Sequence, residues 1–130
     1  MNSREEMRFK RLWGAISLAL ILAIAIATVA CTDSLDGAEP ESGVTEVEVD
    51  DNRFSPRAIE VSVGTEVTWN WVGERAHNVV GEDFDSGTQE SGTFTHRFES
   101  SGTYDYSCTV HPGMTGRVVV VDKEGNASEP

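Results

Sequence analysis

With 130 residues, 22 Asp and Glu against 10 Lys and Arg and a net charge of −12, the chain has room for one domain and lacks the basic footprint of a nucleic-acid binder. Four of its bases (Arg4, Arg8, Lys10 and Arg11) precede an apolar run, so from Cys31 onward 20 acids face 6 bases and the net charge falls to −14. That surface reads as a solvated, self-repelling one suited to salty surroundings rather than as a dedicated docking patch.

The apolar run covers Leu12 to Ala30, 19 residues without a charge. A basic start, an apolar stretch and a small-residue exit make an export signal over residues 1–30. The run is long for a signal peptide and just long enough to cross a bilayer, so an uncleaved membrane anchor is the alternative. Its end favours cleavage. "ATVAC" resembles the lipobox of bacterial and archaeal lipoproteins, in which a small residue directly precedes a lipidated cysteine; Ala30 and Val29 fit, and Thr28 stands where a large apolar residue is usual. The resemblance implies lipidation of Cys31. Either way the domain is expected at a membrane, on the extracytoplasmic face (periplasm or cell surface).

Residues 31–43 are polar, acidic and rich in Gly, Pro and Ser, and read as a flexible tether. Between them and a polar tail at 123–130, expected to be disordered, the pattern over residues 44–122 has a period of two. Val47 and Val49 alternate with acids; Ile59, Val61 and Val63 alternate with Glu60 and Ser62; Val67, Trp69 and Trp71 alternate with Thr68 and Asn70. Phe94, His96 and Phe98 share a face, as do Tyr104, Tyr106 and Cys108, and the valines 118 to 121 suggest a strand covered on both sides. Turn signals such as "SPR", "VGT", "SSG" and "HPGM" separate seven to eight short strands with no useful helix among them. The expected fold is all-β, an antiparallel Greek-key β-sandwich or barrel. So small a core would gain from a bound metal or a cross-link.

The chemistry gathers in "CTVHPGM". Cys108 follows Tyr104 and Tyr106 at the strand period, and Pro112-Gly113 ends the strand just beyond it. Cys108, His111 and Met114 offer thiolate, imidazole and thioether, a donor set suited to copper; zinc would ask for more than one cysteine at this spacing. A blue-copper centre needs a second imidazole. Of the two other histidines, His96 sits mid-strand between Phe94 and Phe98 and reads as structural, whereas His77 follows a Gly-containing turn and is the expected ligand. A disulfide between Cys31 and Cys108 would leave the His and Met spacing unexplained.

"WNWVGERAHNVV" followed by "SSGTYDYSCTVHPGMTGRVVVV" resembles the cupredoxins, small blue copper proteins of the plastocyanin and amicyanin group, and "DFDSG" makes the first segment most similar to halocyanins. The resemblance implies one copper ion, Cu(I)/Cu(II), held by His77, Cys108, His111 and Met114. It also implies Asn78 as the residue tying the ligand loops together, and His111 as the point of electron exit. The two-residue gap from His111 to Met114 is similar to amicyanin's, and Ala76 stands where many members have Pro.

The expected function is that of a membrane-tethered one-electron carrier between a redox protein donor and acceptor, with no enzymatic turnover. The competing class is an extracytoplasmic copper chaperone or scavenger, which would typically use Met- or His-rich clusters that this sequence lacks. Three histidines are too few for a trinuclear oxidase cluster beside a blue site.

Overall fold

The computed structural model describes residues 35–128; the apolar run, Cys31 and the start of the tether lie outside these residues. In chain order the strands are β1 (Glu41–Ser42), β2 (Glu46–Asp50), β3 (Arg53–Ser55), β4 (Ala58–Ser62), β5 (Glu66–Trp71), β6 (Gly92–Arg97), β7 (Gly102–Ser107) and β8 (Thr115–Val121). They form two four-stranded sheets, ordered β1-β4-β8-β7 and β3-β2-β5-β6.

Alternation dictates which side of each strand goes inward. In β2 the two valines are buried while Glu46 and Glu48 stay in water, and in β5 Val67, Trp69 and Trp71 are buried with polar residues between them. Trp69 lies at the centre, its ring 5.4 to 6.5 Å from those of Phe84, Phe94, Phe98 and Tyr106. Aromatic pairs at such distances add roughly 0.5–1.5 kcal/mol each beyond the area they bury. The phenol of Tyr104 donates to the Ser100 carbonyl at 2.9 Å and pins the turn that leads into β7.

The all-β sandwich is the fold the sequence suggests, with amendments in detail. Pairings β2–β3, β5–β6 and β7–β8 are antiparallel, whereas β1–β4, β2–β5 and β4–β8 are parallel. The mixture arises because the chain passes from one sheet to the other between β3 and β4 and back before β5, so strands far apart in sequence become neighbours running the same way. Val63 lies beyond the end of β4 and is exposed, because Gly64 at φ 86° turns the chain there. Of the four valines in β8, Val118 and Val120 are fully buried, while Val119 and Val121 are only partly covered.

The stretch expected to be a tether is partly ordered. Residues Leu35–Gly37 form a 3₁₀ turn, and β1 pairs with β4, supported by a hydrogen bond from Ser42 Oγ to Glu60 Oε1 at 3.0 Å. The tail also folds back. Asp122 accepts the Asn126 amide at 2.8 Å, and the hydroxyls of Ser101 and Ser128 are 2.7 Å apart.

Candidate metal centre

Cys108 follows directly on the end of β7, and its amide donates to the Met114 carbonyl at 2.9 Å, so a short loop leaves and returns to one place. The return is made by His111-Pro112-Gly113-Met114. The Met114 amide reaches the His111 carbonyl at 3.4 Å, Pro112 sits where a turn wants a fixed φ, and Gly113 at φ 86° occupies the position a type II turn reserves for glycine. The spacing of three thus follows from turn chemistry. It places Cys108 and Met114 side by side, 4% and 2% exposed, with the partly exposed His111 at the outer end.

His77 arrives from another part of the chain. Its amide and carbonyl pair with Gln89 at 3.0 Å in both directions, and Val80 pairs in the same way with Ser107 at 2.9 Å, which anchors the His77 segment to the end of β7. The histidine is fully buried. Its Nδ1 lies 3.0 Å from His111 Nδ1 and 3.8 Å from Cys108 Sγ, and Cys108 Sγ is 4.0 Å from His111 Nδ1. Donor atoms bound roughly 2.0–2.3 Å from a shared metal stand about 3.0–4.0 Å from one another, so the spacing of these three fits a single ion. One soft sulfur and two imidazoles, with the buried Met114 thioether at the end of the adjoining turn, make a donor set suited to copper.

Asn78 spans the two ligand-bearing segments. Its side-chain oxygen accepts the Thr109 amide and its NH₂ group donates to Thr109 Oγ1, both at 2.8 Å. His96 lies apart from the cluster, in β6, stacked on Phe84 with centroids 4.7 Å apart and edge-on to Phe98 at 4.8 Å. Cys108 is a free thiol.

Asp51, in the turn between β2 and β3, was not among the residues the sequence singles out. Its Oδ1 lies 3.3 Å from His77 Nε2 and accepts the backbone amides of Glu74 and Arg75 at 3.2 and 3.1 Å. Partial desolvation works against the charge on this carboxyl, and the hydrogen bonds from His77, Arg75 and Glu74 outweigh it, leaving the pKa below its ordinary value. An acid in a polar turn is too common a feature to mark this role in sequence.

A family model described as a cupredoxin-like domain matches residues 18–120. The chain belongs to this family. Among relatives of this cupredoxin, amicyanin-alpha of Methylorubrum extorquens is 34% identical over 116 residues, covering 78% of this chain and 98% of that one. The halocyanin of Natronomonas pharaonis is 47% identical over 77 residues, covering 52% of this chain and 47% of that protein. Among solved structures, a purple cupredoxin from Nitrosopumilus maritimus superposes with a TM-score of 0.55 at 29% identity, over 58% of this chain and 98% of its own. The Cu(I) form of an amicyanin mutant gives a TM-score of 0.55 at 31% identity, over 64% of this chain and 87% of its own.

Proposed function

We propose that this cupredoxin is a one-electron carrier that holds one copper ion through His77, Cys108, His111 and Met114 and works tethered at the extracytoplasmic face of a membrane. The observation that carries this reading is the convergence of one thiol sulfur and two imidazole nitrogens, from two separate segments, within 4.8 Å of one another. A bound copper ion would supply the Cu(I)/Cu(II) couple. Everything else falls to the chain's own residues.

His77 and Cys108 are held by pairings to Gln89 and Met114, so their donor atoms are already gathered before a metal arrives. Burial of Cys108, His77 and Met114 keeps water and competing ligands from three of the four donors, which suits retention of metal over delivery. His111 is the donor nearest solvent, flanked by the exposed Val110, Pro112 and Gly113, and offers the short route for an electron to a docked redox protein. The tether rests on the apolar run, the "ATVAC" sequence and Cys31.

The test is redox cycling against a competing chelator. Protein loaded with one equivalent of Cu(II), reduced with ascorbate and reoxidised in air, is expected to keep its metal through repeated cycles. Ready loss of copper to the chelator in either state would point to a delivery protein instead.

A further inference from the structure

The donors of the site do not explain one contact. Oδ1 of Asp51 sits among three nitrogens, the amides of Glu74 and Arg75 and the Nε2 of a fully buried histidine. Two of these are backbone amides, which can only donate, so this oxygen is an acceptor, and the third partner must bring a proton as well. His77 therefore carries a proton on Nε2, and in the neutral ring Nδ1, which faces Cys108 Sγ and His111 Nδ1, is the bare nitrogen.

Space for this contact is provided on the other side of the turn. A Cβ on Gly73 would lie 2.6 Å from Asp51 Oδ1 and 2.8 Å from the Asp51 amide nitrogen, so the carboxylate reaches His77 only because residue 73 has no side chain. The turn itself is braced by Asp50, whose Oδ1 accepts the Asp51 amide at 2.8 Å and whose Oδ2 pairs with Arg53 at 2.7 Å.

We propose that Asp51, seated against Gly73, is a positioning residue for the metal centre: it holds the Nε2 proton of His77 and so presents Nδ1 to the metal in the ligating tautomer. The role rests on the copper reading above for its purpose, and on the contact geometry alone for its existence. A carboxylate that accepts from the far nitrogen of a ligating histidine orients the ring and raises its basicity, and loss of such a partner typically lowers metal affinity about 10- to 100-fold.

The experiment uses metal-free protein with ¹⁵N-labelled histidine, read by long-range proton–nitrogen correlation, and then titration with Cu(II) against a chelator of known affinity. In the wild type, His77 is expected to show a single tautomer protonated at Nε2. Asp51→Ala is expected to lose that single tautomer and to bind Cu(II) about 10- to 100-fold more weakly. Asp51→Asn retains an acceptor oxygen and is expected to keep both the tautomer and a well-dispersed spectrum. An Asp51→Ala protein that retains the Nε2 tautomer and binds Cu(II) within about twofold of wild type would overturn the proposal. A wild type that takes up no copper would instead remove the proposed function, while the nitrogen spectra of the metal-free protein would still decide the role of Asp51.

Discussion

Asn78 binds Thr109 through both ends of its carboxamide, across 31 residues of sequence, and it is the side chain that joins the His77 segment to the Cys108 loop. Asn78→Ala removes both bonds, and because Thr109 is exposed enough for water to replace them the cost is that of two hydrogen bonds, about 1–3 kcal/mol in all. Urea unfolding of the metal-free protein should show that loss, with the loop carrying Cys108 and His111 less protected from amide exchange. At this scale the sequence is informative where chemistry is local. The spacing of Cys108, His111 and Met114 can be read because a Pro-Gly turn gathers them, and His77 separates from His96 because one follows a turn and the other lies on a strand. Asp51 cannot be read in this way, since it meets His77 across 26 residues through a turn whose acids resemble any others on this surface.

Among elements, the pairing of β7 with β8 matters most to the site, because β7 delivers Cys108 and β8 begins directly after Met114. Tyr106 on β7 stands opposite Gly116 on β8 and lays its ring over that glycine. A methyl at residue 116 would fall inside van der Waals contact of the ring. Gly116→Ala should therefore destabilise the domain by roughly 1–3 kcal/mol through overpacking, measured as a lower midpoint of thermal or urea unfolding. An unchanged midpoint would mean that the ring moves aside at no cost. The period of two reveals β2, β4, β5, β6 and β7, whose more covered side chains largely alternate, and the unbroken valines reveal β8. It does not reveal which strands pair in parallel or that residues 41–42 join β4: parallel neighbours here are distant in sequence, and two exposed residues carry no pattern.

Taken as a whole, the molecule keeps most of its charge away from its chemistry, with Asp51 the exception. Among the described residues most acids lie on exposed strand faces and turns, while His77, Cys108 and Met114 are buried at a site reached through His111. Repulsion among those charges is weakened by salt, and the core and the loop pairings must offset what remains. The proposed tether belongs to this scale, since it sets where the carrier meets its partners. Cys31→Ser should move the protein from the membrane to the soluble fraction of cells making it, and persistence in the membrane would favour a retained N-terminal helix over a lipid. The central claim, however, is that Cys108 binds copper together with two imidazoles, and the visible absorption of the Cu(II)-loaded protein tests it most directly. The account predicts an intense visible band that bleaches with ascorbate, returns on reoxidation and is absent from Cys108→Ser. A colourless wild-type protein whose Cys108 thiol stays fully reactive after Cu(II) is added would contradict it.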